Sequence, residues 1–475
     1  MKISQHIRPA DWHSVIYELF GALGLMGLLL LVPFSVSLIF QEYLYSEIFG
    51  GLAFGSIGLG FGVRKLGIID TQEMKLTDAL IVTALVYLLF SLVGAVPFLP
   101  IKSFLDGLFE AMSGFTTTGL TMVNETTLPA SLHFFRAYSQ WLGGMGIIVL
   151  TLAILLRPGK TAFKLYSSEF GETNILGSVI STAKAVIKVY LSLTALGFVA
   201  FFFAGMGLYD ALIHILTTIP TGGFSLYSES IGYYDSAAVS LTVSIFMIMG
   251  AISFPLYYTA TKGNTREFFE DHQVQALIIL VLLGTIIFTV SFGANLQNLA
   301  PGIFQTATAI TTTGYNTVPT GELPAGDKFV TILLMVVGGG TGSTAGGIKI
   351  FRLLILLALI RLAFFRTLLP KEAKLPLQFG KLKVTKEEAE SITAFFLAYL
   401  LIMVLSTLGI IWLEGTNLVN SLFEVASAEG TVGMSVGITS SGMNPASKLI
   451  LIVNMWLGRL EIMPVLVALY PKSWR

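Results

Sequence analysis

The chain has 475 residues, 54% of them apolar and 12% charged, with mean hydropathy +0.80 and a formal net charge of zero. Soluble domains carry about 25% charged residues, so this composition belongs in a lipid bilayer, and its neutrality argues against nucleic acid as a partner. There is no cysteine, which excludes a disulfide framework, a thiolate metal site and a cysteine nucleophile; the five histidines are scattered, and nothing calls for a covalent cofactor.

A bilayer core needs about 20 apolar residues per helix. In chain order the sequence predicts spans near 15–40, 48–68, 76–99, 134–156, 182–206, 238–260, 274–292, 329–367 (interrupted), 390–413 and 447–470. The first is too long for a signal peptide and lacks a small-residue cleavage site. The connections at 64–75, 157–188, 262–266 and 352–386 hold most of the Lys and Arg, whereas the alternate connections hold only Lys102, Arg136, Lys328 and Lys448. The positive-inside rule therefore places the first set and both termini in the cytoplasm.

The outer connections share a uncharged knot of threonine and glycine, and the knots belong to an internal repeat. Anchored on Gly119, Gly223, Gly314 and Gly433, fourteen residues align without a gap: "DGLFEAMSGFTTTG", "DALIHILTTIPTGG", "PGIFQTATAITTTG" and "NSLFEVASAEGTVG". Position one (Asp106, Asp210, Pro301, Asn420) is a helix starter, expected as an N-cap or first-turn proline. Position twelve is always threonine. A second register aligns on Gly143, Gly250, Gly338 and Gly458, at 24, 27, 24 and 25 residues beyond the first. Each unit thus reads as a span, a capped half-helix of about ten residues, a Thr-x-Gly turn and a returning span. Irregular backbone at membrane depth is tolerated only where it lines a cavity or is buried in protein.

Four such turns can surround one axis and present carbonyls and hydroxyls to a monovalent cation without a fixed charge in its path. The expected filter is Thr117, Thr118 and Gly119 with Thr221, Gly222 and Gly223, then Thr312, Thr313 and Gly314 with Thr431, Val432 and Gly433. Each half-helix would aim its negative C-terminal end at the centre. Residue chemistry alone gives "monovalent cation".

Four membrane–pore–membrane units, each with one filter glycine, resemble the Trk/Ktr/HKT potassium transporter superfamily. The two extra spans before the first unit resemble its TrkH branch. The resemblance covers essentially the whole chain and implies an all-α polytopic membrane protein, with a 1–70 two-helix extension and pore units at 71–160, 161–265, 266–370 and 371–475. Glycine at all four positions implies K⁺ as the ion, with Rb⁺ tolerated and the filter residues as its ligands. The family also implies residence in the inner membrane, a homodimer, and a cytosolic ring of nucleotide-binding regulatory subunits. The basic 361–386 connection is a docking candidate for that ring, or an ordinary positive-inside loop.

Two features stand beneath the expected filter. The run "GGGTGSTAGGIK", Gly338 to Lys349, interrupts the returning helix of unit three. It fails the phosphate-loop pattern because Gly347, not lysine, follows Gly346. A matching break gates the pore in the family, which assigns Gly338, Gly339, Gly340, Gly342, Gly346 and Gly347 to a gate; the alternative is a small-residue packing face. Arg459 follows the aligned glycine of unit four where the other copies hold Gly144, Ala251 and Gly339. An intramembrane arginine is costly and functional by default. It is expected in the gate, with an ion pair to Glu461 as the structural alternative. Glu110, His214, Gln305 and Glu424 share position five and are expected to hold the half-helices against neighbours. Glu429 could attract cations at the mouth or bond to backbone donors behind the filter. The sequence thus supports gated K⁺ uptake, with a Na⁺- or H⁺-coupled carrier on the same scaffold as the alternative. An intramembrane enzyme lacks any nucleophile–base pair that can be placed in one site.

Overall fold

Long apolar stretches with few breakers dictate helices, because backbone groups facing hydrocarbon must pair within their own segment. In the computed structural model, the described residues are 10–65, 75–144, 146, 179–370, 378–379 and 382–474. Among them six helices are long and apolar enough to cross a membrane, or eight if each of two bent pairs is one span. The first two, α1 (Trp12–Ile39) and α2 (Tyr43–Lys65), form a hairpin. They approach through small residues: a Cβ on Gly60 would overlap the backbone of Gly24. This hairpin is tied to the rest by Glu42, whose carboxylate accepts from the amides of Ala130 (2.8 Å) and Ser131 (3.0 Å). These are orphan donors at the start of α5.

Unit one comprises α3 (Leu76–Ala95), the half-helix α4 (Phe104–Phe115) and α5 (Ala130–Gly144); the rest of the expected 134–156 span lies outside the described residues. Unit two has α6 (Val179–Ala204), the half-helix α7 (Leu208–Thr218), α8 (Ala237–Gly250) and α9 (Phe254–Thr261), followed by the short α10 (Thr265–Glu270). Unit three has α11 (His272–Ser291), the half-helix α12 (Leu299–Ile310), α13 (Ala325–Val337) and α14 (Ile350–Leu368). A hairpin of two-residue strands, Gln378–Phe379 and Leu382–Lys383, precedes unit four. That unit has α15 (Lys386–Glu414), the half-helix α16 (Leu418–Glu429), α17 (Pro445–Arg459) and α18 (Met463–Leu469). On α15, Phe395, Tyr399, Met403, Thr407 and Ile410 are buried, whereas Leu397, Leu401, Leu405, Leu408 and Trp412 are exposed. A helix apolar on both faces fits lipid on one side and protein on the other.

Two expectations need correction. The spans expected at 238–260 and 447–470 are not continuous: α8 and α9 meet at 92°, and α17 and α18 at 120°. Prolines in the first turns of α9 and α18 explain the breaks, since Pro255 and Pro464 cannot donate to a preceding turn. Glu461 and Ile462 add positive φ values of 55° and 66° at the second break. The repeat's position-one residues also lie one turn inside their helices. The caps are Ser103, Gly207, Asn298 and Asn417, and Ser103 Oγ accepts from the Asp106 amide at 3.2 Å. In units one and four the earlier start has a capping cause, Ser103 Oγ and Asn417 Oδ1 each accepting the amide three residues on. At 11 or 12 residues each, they still span only about half a bilayer.

The units are strapped to one another near the N-terminal ends of their half-helices. Lys448 of unit four donates to Asp106 of unit one at 2.6 Å and to Ser441 O at 2.8 Å. Lys328 of unit three donates to Gly321 O at 2.8 Å and to Asn420 Oδ1 of unit four at 3.2 Å. Both lysines are buried. Removing one partner of a buried pair costs about 3–5 kcal/mol, whereas an exposed pair is worth at most about 1 kcal/mol. Lys448→Met should therefore lower the unfolding temperature of the purified protein clearly. Arg266→Ala, which breaks the exposed pair with Glu270, should leave it nearly unchanged; equal shifts would contradict the strap.

Candidate ion pathway

Each half-helix ends in the same hydrogen-bond pattern. The amide at position thirteen donates to the carbonyl at position eight: Thr118 to Ser113 (2.8 Å), Gly222 to Thr217 (2.8 Å), Thr313 to Thr308 (3.0 Å) and Val432 to Ser427 (2.8 Å). The amide at position twelve reaches back to position nine in every copy, at 2.9–3.2 Å. The filter-glycine amide is also held, by Ser113 Oγ and Ser427 Oγ at 3.0 Å and by Thr217 O and Thr308 O at 3.2 and 3.3 Å. Thr117, Thr221, Thr312 and Thr431 all adopt left-handed backbone, with φ between 52° and 56°. All the turn amides are thus consumed by the helices behind them. Among the described residues no donor reaches the carbonyl oxygens of Thr117, Gly119, Thr221, Gly223, Thr312, Gly314, Thr431 or Gly433.

The four turns meet in a closed ring. A Cβ on Gly119 would overlap the carbonyl oxygen of Gly222, one on Gly223 that of Thr313, one on Gly314 that of Val432, and one on Gly433 that of Thr118. Each unit's glycine therefore abuts position thirteen of the next unit, and unit four closes onto unit one. Glycine is required twice over, by this approach and by positive φ of 75–96°. The twelve expected residues are brought together and carry no charge.

Behind the ring, position five in units one, two and four braces the limb that follows its own turn, and in unit one it also holds the half-helix to the neighbouring helix α5. Glu110 accepts from Thr121 Oγ1 (3.0 Å) and the Met122 amide (2.8 Å), and pairs with Arg136 at 2.7 Å. Glu424 accepts from Ser435 Oγ (2.7 Å) and the amides of Val436 and Thr439 (3.1 and 2.9 Å). His214 Nε2 meets Ser225 Oγ at 3.0 Å. Gln305 has no hydrogen bond through either amide atom among the described residues. Glu429 is fully buried at the inner end of α16, and neither carboxyl oxygen has a partner among the described residues. It therefore neither lines an outer mouth nor holds backbone donors.

The glycine run and Arg459 lie directly beneath the turns. Thr344 Oγ1 donates to Ile219 O (2.8 Å) at turn two, and the Gly346 amide donates to Thr312 Oγ1 (2.7 Å) at turn three. A Cβ on Gly346 would overlap Gly430 O and Thr431 Oγ1 at turn four. Arg459 completes the set: it donates to Thr117 Oγ1 (3.2 Å) at turn one, to Thr344 O (3.1 Å) and to Gly143 O (2.6 Å). Glu461, offered by the sequence as its ion-pair partner, pairs instead with Arg352. The run is folded back on itself: Gly338 packs on Gly346 and Gly347, and Gly339 packs on Ala345 and Ala251. The Gly340 amide donates to Ala251 O at 2.9 Å, and Gly342 O accepts from the Phe254 amide at 3.0 Å. The loop is thus held along its whole length: to the broken helix of unit two, to Gln273 through the Thr341 amide (2.8 Å), and to the end of α13 through the Ile348 and Lys349 amides.

Sequence reasoning missed several residues. Gln140 clamps turn two, donating to Gly222 O (2.6 Å) and accepting from the Phe224 amide (3.1 Å). Arg136 bridges Glu110 to Ser225 O (3.3 Å) and lies over the Phe224 ring. Lys328 and Lys448 each stand ten residues before an aligned glycine, so the repeat register held a signal for them.

Comparison with known proteins agrees with this geometry. The chain matches the family described as "TrkH: Cation transport protein" over residues 69–475. It is 33% identical over 472 residues to an uncharacterized cation transporter of Methanocaldococcus jannaschii, covering 98% of this chain and 97% of the relative. It is 32% identical to the Trk system potassium uptake protein TrkH of Halomonas elongata, covering 97% and 99%. The crystal structure of the potassium transporter TrkH from Vibrio parahaemolyticus superposes with a TM-score of 0.85 at 29% identity, covering 98% of this chain and all of that one. The chain belongs to the TrkH family of cation transport proteins.

Substitution tests the ring directly. Gly314→Ala should cut cation uptake into proteoliposomes more than tenfold, because the added methyl must displace Val432 O. Gly51→Ala, where a Cβ meets nothing within 4 Å, should leave uptake unchanged.

Proposed function

We propose that this chain takes up K⁺ across the inner membrane, with both termini in the cytoplasm, through the filter formed by the four turns. The observation that carries the reading is the closed ring of glycine-to-carbonyl approaches, which sets uncommitted carbonyl oxygens around one axis. Such oxygens replace the hydration shell of a monovalent cation, and four half-helix C-termini add negative potential. The names of the Halomonas and Vibrio relatives support K⁺ as the ion, and Rb⁺ is expected to follow the same path.

The 338–347 loop and Arg459 are the gate. In the arrangement seen here they stand under all four turns, so a cation leaving the filter meets a guanidinium and a folded backbone. Opening requires Arg459 to leave Thr117 and Thr344, and the loop to leave Thr312. The assembly unit is a homodimer, with a cytosolic nucleotide-binding ring acting on the loop from the cytoplasmic side and the basic 361–386 connection as its docking surface.

Radioactive rubidium uptake into proteoliposomes tests the reading. K⁺ should compete and Na⁺ should not, and an imposed Na⁺ or pH gradient should leave the flux unchanged; dependence on either gradient would indicate a coupled carrier. A unit charge about 8 Å from the ion at an effective dielectric of about 20 repels it by about 2 kcal/mol. Arg459→Ala should therefore speed uptake about tenfold or more. Unchanged or slower uptake at equal expression would remove Arg459 from the gate.

A further inference from the structure

Turn three is not held as the other three are. In units one, two and four, position five hydrogen-bonds the residue two beyond the filter glycine: Glu110 with Thr121, His214 with Ser225, Glu424 with Ser435. The counterpart in unit three is absent. Gln305 is 1% exposed and its side-chain amide makes no hydrogen bond among the described residues, while Asn316 Oδ1 accepts from Thr320 Oγ1 at 3.0 Å. The Asn316 amide donates to Ser230 Oγ (3.2 Å), and its carbonyl accepts from the Gly232 amide (3.0 Å), both in the outer limb of unit two.

The residue after the filter glycine differs correspondingly. It is Leu120, Phe224 and Met434 in the other copies and Tyr315 in unit three. Tyr315 is fully buried, and its hydroxyl lies in the half-helix of unit two. It stands 2.5 Å from Thr217 Oγ1, 3.1 Å from Thr218 Oγ1 and 3.0 Å from His214 O. Thr217 is also the residue whose carbonyl receives the Gly222 and Gly223 amides of turn two. Thr308 Oγ1 donates in turn to Tyr315 O at 2.9 Å.

We propose that the Tyr315 hydroxyl is a specificity-determining positioning group, which fixes the spacing of turns two and three by gripping their common anchor, Thr217. The inference rests on the filter reading above and adds where its width is set. Where a carbonyl ring discriminates K⁺ from Na⁺ by cavity size, the spacing of its oxygens sets the preference. Turn three lacks the position-five brace, so the buried Tyr315 hydroxyl, together with the Asn316 backbone bonds to Ser230 and Gly232, sets its position relative to turn two. Buried networks of this kind are worth more than their separate bonds.

The test is Tyr315→Phe, which keeps the ring and removes only the oxygen, with Met434→Leu at the matching position of unit four as control. Two quantities are measured: the ratio of Na⁺ to K⁺ concentrations that half-inhibit rubidium uptake, and the rise in unfolding temperature of detergent-purified protein when K⁺ replaces Na⁺. The second reads filter occupancy even if uptake is lost. The expected result is a ratio lowered about fivefold, the weight of one net hydrogen bond, and a K⁺-specific thermal shift reduced by half or more. Met434→Leu should change neither. Thr217→Val should reproduce the effect, and the double substitution should add little to either single one. An unchanged ratio and thermal shift in Tyr315→Phe, or full additivity with Thr217→Val, would overturn the proposal. Absence of K⁺ preference in the unsubstituted protein would instead refute the filter reading itself.

Discussion

The structure depends on four contacts between a glycine Cα and a neighbour's carbonyl oxygen. Each is too close for a side chain, and each is made between different units, so the ring exists only when all four units are in place. Half-helices of 11 or 12 residues follow from it, since they must deliver a turn to mid-membrane and stop. The turns can afford left-handed threonines because helix carbonyls receive their amides. Strained backbone persists where its surroundings over-determine it.

Above and below this ring the repeat is abandoned. On the outer side the braces differ in every unit: a carboxylate–guanidinium pair, a carboxylate taking two amides, a histidine, and in unit three a tyrosine reaching across to unit two. On the inner side one unit supplies the loop and another the arginine. A symmetric ring gives an ion equivalent ligands on all sides. The loop and the arginine therefore each contact a nearly fourfold ring from one place, without being repeated four times.

Much of this was legible in the sequence because its signals were periodic. The gapless fourteen-residue repeat located all four turns, and three small residues at the Arg459 position pointed to a crowded axis. What escaped depended on direction rather than spacing. Position five was readable as a brace against a neighbouring helix, which Glu110 is through Arg136, but Glu424 and His214 bond the limb after their own turn instead. Glu461 stands two residues from Arg459, yet backbone reversal at 461–462 turns it toward Arg352. The helix breaks after Gly250 and Arg459 were signalled by Pro255 and Pro464. Apolar composition across those prolines hid the signal, because hydropathy does not register a missing amide.

The bond between Lys448 and Asp106 joins residues 342 positions apart. A chain emerging from a ribosome can insert its helices one pair at a time, but the ring stays open until Val432 and Gly433 of unit four arrive. Unit one must wait in the bilayer with Asp106 lacking its ammonium partner and Thr118 O facing no glycine. Contacts of such long range make late assembly slow. A chain cut short before Gly433 would hold three turns and an open ring, so on the proposed reading a prematurely terminated product would enclose no path for ions.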